Sequence, residues 1–556
     1  MANAQVIYSY GKIEMLLKKT SFSYLIATCI LASTSGVSAQ NVTPSTVNNL
    51  NTNVIQIGSQ YNISGGTQAG ANLFYSLQKL GLSSGEIANF LSNSSVQNIL
   101  TRVTGGEASL INGLIQVTGG NSNLFILNPA GIVFGANASL NVPANFSAST
   151  ASAMQVGNGW FGMNSSADQV RNLSGNVTGY AFNSTLPNLG STTGASASGV
   201  ILNQGNLSVS TSKSVTLVGG MVVNTGTIAT PEGKITIAAT PDNKFITITN
   251  EGSVLSFDLP IADQQAICNA PVLRGVDLPT LLTGKTAGTV IASGTLDVSG
   301  NQGGKVQVLG KDVNLASANI NASGVNGGGT VLIGGDYQGN GTTPKSQSTT
   351  VDSGSTINAN ALTAGNGGTV VVWSDGITRF DGKIVVKAGS QSGNGGLIET
   401  SGKANLAVGN NAQVNASAPN GVRGTWLLDP TTLTVATTGG DITPATIVTN
   451  LDGANFDLQA SSSITVSDAI DSGNNTSGGN LSLSTVTVNL NAPITLFSGS
   501  VLSGTATTTN VGANGTIQNG VDVSALGGTV NLAPTTYTLS DEVYITHLTQ
   551  IENPEI

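Results

Sequence analysis

The sequence predicts an all-β protein wound as a long parallel β-helix. Three observations carry that reading. Of 556 residues only 8% are charged, while 39% are hydrophobic and 72 are glycine. That composition suits many short strands joined by Gly and Asn turns. Apolar residues alternate over three to five positions, as in "SVTLVGG", "KITIAAT" and "FITITN", with almost no helical periodicity after Gln40. Finally, the turn motifs recur at irregular periods of one solenoid coil.

Two repeat series set those periods. Asn203-Gln204-Gly205-Asn206-Leu207, Asn224-Thr225-Gly226-Thr227-Ile228 and Asn250-Glu251-Gly252-Ser253-Val254 share an Asn-x-Gly-x-aliphatic pattern at spacings of 21 and 26. Gly303-Gly304-Lys305-Val306 is echoed at Gly328, Gly367 and Gly395, at spacings of 25, 39 and 28. Stacked coils place the aliphatics in an inward column, with Gly or Asn expected to supply positive φ at the corners. About 20 coils of roughly 20–25 residues are expected, in a rod on the order of 100 Å. Chained β-sandwiches would need domain-length units and linkers, and neither is visible.

Along the chain, residues 1–39 read as a signal peptide. Lys18-Lys19 precedes the apolar run "SFSYLIATCILAST", and Val37-Ser38-Ala39 is a small-x-small site that places cleavage between Ala39 and Gln40. The run is short for a membrane span. Cleavage would remove Cys29 and leave Cys268 alone, so the mature chain forms no internal disulfide. Residues from about 40 to 110 depart from the repeat and read as an N-terminal cap over the first open strands. "DQQAICNAPVLRGVDLPTLLTGKT", Asp263 to Thr286, interrupts the alternation and marks either a boundary or a long loop on an unbroken helix.

The chemistry classes thin out quickly. The net charge is −9 and no basic tract is present, which argues against nucleic-acid binding. The one histidine, His547, has no nucleophile set around it. The pairs Asp375 with Asp381 and Asp263 with Asp277 are sparse and read as solvated turn residues rather than hydrolytic carboxylates. "TGKT" at Thr283–Thr286 lacks the phosphate loop's first glycine, because Pro279 stands there. No catalytic residues, metal site or cofactor are expected, and the protein is not read as an enzyme. Trp426, in "RGTWLLDP", is expected to be buried where the coil changes direction.

The stretch "NLFILNPAGIVFGANASLNV", Asn123 to Val142, is almost free of charge and is cut by Asn128-Pro129-Ala130-Gly131-Ile132. With "SGGTQAGANLFYSLQKLGL", "VTGGEASLINGLIQVTGG" and "FSASTAS", it resembles the secretion domain of the filamentous haemagglutinin family of two-partner-secreted exoproteins. The family's hallmark is Asn-Pro-Asn-Gly-Ile, so Ala130 replaces its second Asn. The family's Asn-Pro-Asn-Leu motif has no clean counterpart. Downstream, "GGTVVVWSDGITRFDGKIVVKAGSQSGNGGLIETSGKANLAVG" and "GTWLLDPTTLTV" resemble segments of large family members.

The resemblance implies a right-handed parallel β-helix. It implies Sec-dependent export, then passage through an outer-membrane Omp85-type transporter whose periplasmic domains capture the secretion domain. It also implies a protein secreted from, or held on the surface of, a Gram-negative-type bacterium, acting as an adhesin toward a host-cell or surface receptor. The expected division is 1–39 signal peptide, 40–270 secretion domain and 271–556 β-helical stem. The alternative reading makes the chain the carrier stem of a larger toxin or enzyme that continues beyond Ile556.

Ala130 also carries a physical expectation. A type I turn favours Asn, Pro and Gly at its first, second and fourth positions and tolerates Ala at the third. A type II turn would need positive φ at Ala130. The motif is therefore expected to form a type I corner, serving either folding alone or recognition by the transporter as well.

Overall fold

The computed structural model describes residues 41–182, 199–241, 244–248, 254–258, 287–537, 539, 542–545 and 550–552. The signal segment with Ala39 and Gln40, most of Asn250–Val254, the interruption at 263–286, Cys268 and His547 lie outside them.

The chain is a parallel β-helix with three faces. Each coil lays a strand on face A, turns onto face C, then onto face B, and returns one step further along. Thus Asn123–Leu127 lies on face A, Ile132–Phe134 on face C and Ser139–Asn141 on face B. Inward positions alternate with outward ones, as a period of two requires. On face A, Val306 and Val308 sit above Val331 and Ile333, then Val370 and Val372. All belong to one continuous apolar core running from Val42 to Val523. Each such aliphatic contributes about 1.5–3 kcal/mol of burial.

The Gly-Gly-x-aliphatic spacings are the ladder register itself: Lys305 pairs with Thr330, Thr330 with Thr369, and Thr369 with Leu397. The Asn-x-Gly series holds for its first two copies, since Asn203 pairs with Asn224. Of the third copy only Val254 is among the described residues. Asn224 pairs onward with Ala292, and the strands flanking residue 250, Lys244–Ile248 and Val254–Asp258, belong to a separate antiparallel sheet.

That sheet explains a second correction. Face A carries fourteen parallel strands from Asn72–Lys79 to Leu502–Gly504, not about 20. At ~4.8 Å per step this part of the rod is about 60 Å long. The missing coils went into two excursions. The chain leaves face A after Phe146–Ser149 and rejoins on face C at Val200–Asn203. It leaves again after Lys234–Ala239 and rejoins at Thr289–Ala292. The excursions build five antiparallel strands outside the helix, in the order Gly159–Gly162, Ala153–Val156, Val177–Phe182, Lys244–Ile248, Val254–Asp258. The ladder runs on across the second excursion, with Thr227 paired to Thr295.

The N-terminal end is capped by antiparallel pieces. Thr43–Pro44 and Thr67–Ala69 pair with the first face-A strand, and Thr52–Ile57 folds back on Gln60–Gly65. The cap is shorter than the sequence predicted, because Asn72–Lys79 and Ile87–Leu91 already belong to the first coil.

Positive φ at turns is supplied by glycines such as Gly119, Gly131 and Gly365, but the glycines of the repeat series and the stacked asparagines do different work. Gly304, Gly329, Gly368, Gly396 and Gly424 stack in one column, and none has positive φ. A Cβ on each of the upper four would meet the carbonyl oxygen of the glycine beneath, so the requirement is steric. The coil asparagines act through their amides. Asn98 Nδ2 donates to Asn72 Oδ1 at 2.8 Å, and Asn123 Nδ2 to Asn98 Oδ1 at 2.8 Å. The same device recurs at Asn489, Asn510 and Asn531.

Near Trp426 the coil does change. Face C ends as a sheet at Asn405–Val408, a new sheet starts at Thr432–Val435, and the helix Pro444–Leu451 takes the place of a face-B strand. Asn450 completes the replaced ladder, accepting from Val414 N at 2.7 Å and donating to Ala412 O at 3.0 Å. Trp426 is wholly buried, with its Nε1 2.9 Å from Thr400 Oγ1 and its ring 4.9 Å from that of Phe456.

Candidate functional site

Asn128–Gly131 forms the corner between faces A and C. Gly131 N donates to Asn128 O at 3.1 Å and closes a four-residue turn. Gly131 has φ +120°, whereas Ala130 has no positive φ, so the turn is not type II. Pro129 pre-sets the second position.

Asn128 holds the corner from within. It is 0% exposed. Its Nδ2 donates to Glu107 O and Ser109 Oγ, both at 3.0 Å, and its Oδ1 accepts from Ala130 N at 3.0 Å. Its own N–H donates to Ser149 O at 2.9 Å. One residue therefore ties the coil below and the turn itself through its side chain, and the coil above through its backbone N–H. Ile132 is buried in the core, and Pro129 and Ala130 are half-buried. The amide of Asn128 is thus unavailable to a partner of the folded domain, and Pro129 and Ala130 form the part of the corner that reaches the surface.

The corner also adjoins the first excursion. Ser149, which takes the Asn128 N–H, ends the strand from which the chain departs. Thr150 Oγ1 donates to Gly199 O at 2.8 Å and joins the departing end to the returning one. Gly199 sits directly over the turn, where a Cβ would strike Pro129 O and Gly131 N.

The antiparallel sheet covers the outer side of face A. Phe74, Leu100 and Leu127 from the helix meet Met154, Phe161, Val170, Tyr180 and Ile246 in a second core. Tyr180 and Ser147 share a 2.6 Å hydrogen bond across it, and burial raises the phenol's pKa. Arg102 lies inside this interface. Its guanidinium reaches Ser76 Oγ, Gly162 O and Asn48 O, and stands 5.3 Å from the Phe161 ring centroid. Burial lowers its pKa to about 10. Asn72 adds a second tie, donating to Gly175 O at 2.8 Å and Leu173 O at 3.1 Å. Sequence reasoning missed this interface. One signal was available: a lone cation in the apolar strand "NILTRV", Asn98–Val103.

Of the carboxylate pair Asp375 and Asp381, each serves structure. Asp375 accepts from Trp373 Nε1 at 3.3 Å, and Asp381 accepts from the backbone and side-chain nitrogens of Asn411, both at 2.9 Å. Asp263 and Asp277 lie outside the described residues.

Residues 39–272 match the family model of the TPS secretion domain. Residues 39–272 are therefore similar to a two-partner secretion domain, a match that takes in less than half of the chain. The matched residues take in the cap, the first coils, the Asn128 corner and the antiparallel sheet. A secretion domain of this kind implies a two-partner secreted exoprotein, and so a partner outer-membrane transporter. Twelve solved chains match. One is the HMW1 secretion domain from Haemophilus influenzae, at 23% identity over 71% of this chain and 100% of that one, with a TM-score of 0.38. No curated protein matches the chain.

Proposed function

We propose that this protein is an adhesin-like filamentous exoprotein, secreted or retained at the outer cell surface of a Gram-negative-type bacterium. Residues 1–39 direct Sec export and are removed between Ala39 and Gln40. Residues 40–270 then engage the periplasmic domains of an Omp85-type transporter, and residues 271–556 form the stem that meets a host-cell or surface receptor.

The observation that carries the reading is the secretion-domain match over 39–272. The fold supplies the physical rationale. A rod with a short inward-facing repeat can be passed through a pore as an extended chain and rebuilt coil by coil, because each coil contacts mainly its neighbours. The long, weakly charged outer faces suit binding rather than turnover.

Deleting residues 40–160 is expected to abolish appearance of the protein outside the cell. A lesion within 300–500 is expected to leave export intact and reduce attachment to surfaces. Immunoblots of culture medium and surface fractions, with an attachment assay, read both. Normal export of the deleted chain would overturn the secretion role, and normal attachment of the lesioned chain would overturn the adhesive one.

A further inference from the structure

On the stem, between the face-A strand Thr330–Ile333 and the face-C strand Ser348–Val351, the chain makes a loop over the outside of face A. Its two ends are pinned together, since Ser346 N donates to Gly334 O at 2.7 Å and Ser346 Oγ to Trp373 O at 2.9 Å. This is the geometry of a compact Ω-loop.

The loop covers an apolar patch. Leu332, Val371 and Trp373 form a small buried cluster of their own, separate from the helix core. Gly335 and Gly339 lie flat on the Trp373 ring, where a Cβ on either would collide with the indole.

What holds the loop down is a buried acid. Glu399, on the strand Leu397–Gly402, is 0% exposed. The backbone N–H of Gln338 donates to both its oxygens, at 2.9 and 3.1 Å. Gln338 adopts φ +52°, a conformation few non-glycine residues take. Its side chain also reaches Gln459 Oε1 at 3.0 Å. Among the described residues no cation pairs with Glu399. The two ion pairs among the described residues, Lys79–Glu107 and Arg171–Asp168, are elsewhere. The charged groups facing it are acidic: Asp336 from the loop and Asp429 from the next coil. Asp457, one coil further on, acts on both Asp429 and Tyr337.

We propose that residues 335–345 are a pH-operated cover over Leu332, Val371 and Trp373, seated by Gln338 on the buried Glu399 while that acid is protonated and lifted when ionisation would leave an uncompensated charge buried beneath it. An ionised Glu399 gains the Gln338 and Ser401 hydrogen bonds, but desolvation, Asp429 and Asp336 outweigh them and raise its pKa from 4.5 to about 7. The sign follows. The closed loop favours the protonated acid, so its full stability is present below about pH 4.5. It declines by up to about tenfold in the closed-to-open ratio per pH unit as the pH rises toward 7, then levels off. Opening would present one tryptophan and two aliphatics on the outer face of the stem, a small apolar contact surface of the kind that marks interaction sites.

The test is amide hydrogen exchange of residues 335–345 in the full chain from pH 4.5 to 8, corrected for intrinsic base catalysis. Protection in the native chain is expected to fall by more than tenfold toward pH 7 and then level off. Glu399→Gln, which keeps a carbonyl acceptor for Gln338 and cannot ionise, is expected to give a flat profile. Asp429→Asn, which leaves the Gln338 contact intact, is expected to move the midpoint to lower pH. A flat profile in the native chain would overturn the proposal. So would a Glu399→Gln profile that follows the native one, or an unmoved midpoint in Asp429→Asn.

Discussion

Arg102 places its Nε 3.0 Å from Ser76 Oγ inside the protein, and among the described residues no carboxylate pairs with it. Its other nitrogens reach Gly162 O in the antiparallel sheet and Asn48 O in the cap. The cation is therefore solvated by three segments that meet only when the secretion domain is complete. Arg102→Ala removes the charge and opens a cavity under two stranded carbonyls, at an expected cost of about 3–5 kcal/mol. Arg102→Met fills the volume and spares the buried charge, so its cost is expected to be under about 2 kcal/mol. Urea denaturation of the two variants measures the difference, and equal losses would mean that packing is not what separates them.

The Asn128 corner makes a sharper distinction between folding and recognition. Asn128→Ala removes three side-chain hydrogen bonds at a wholly buried site. A loss of about 2–4 kcal/mol is expected, with export falling in proportion to the misfolded fraction. Ala130→Asn changes a half-buried position at the tip and is expected to shift stability by less than about 0.5 kcal/mol. If Ala130→Asn increases export at unchanged stability, the transporter reads that side chain. If export is unchanged, the motif serves secretion by serving the turn.

The coil ladder was legible in the sequence because register leaves a trace. The spacings between Gly304, Gly329, Gly368 and Gly396 are the strand-to-strand steps of face A. Excursions leave no comparable trace. "KFITI" and "VLSFD" alternate like coil strands, and only their antiparallel pairing with Val177–Phe182 and with each other removes them from the ladder. Asn128 was legible as a turn former, but its burial depends on Glu107, Ser109 and Ser149, which only the stacked coils bring together. Glu399 gave no signal, because a single acid in an alternating strand reads as an outward residue until a loop from another coil covers it.

Trp426 tests whether the stem is stabilised independently of the secretion domain. Its indole bridges Phe456 and Phe380 in the core and donates to Thr400. Trp426→Phe is expected to cost about 1–2 kcal/mol and Trp426→Ala about 3–5 kcal/mol. In a solenoid the damage should stay within neighbouring coils. Hydrogen exchange should therefore rise in the strands Leu397–Gly402, Thr425–Leu428 and Asn455–Gln459 and remain unchanged in Asn123–Leu127. Faster exchange at Asn123–Leu127 would show that the rod unfolds as one unit.

The glycine column separates steric need from backbone need. Gly368 has no positive φ, yet a Cβ there would run into the Gly329 carbonyl oxygen. Gly439 has φ +72° and open space around the same position. Gly439→Ala thus incurs only the backbone penalty of a left-handed conformation, about 1–2 kcal/mol. Gly368→Ala must push two coils apart, breaking the N–H bond from Thr369 to Gly329 and opening the core beside Val370. Its cost is expected to exceed about 3 kcal/mol, in the range that marks overpacking of a close-packed interior. Thermal denaturation of the two alanine variants ranks them directly. If Gly439→Ala proves the more damaging, positive φ rather than close approach governs the glycines of this helix.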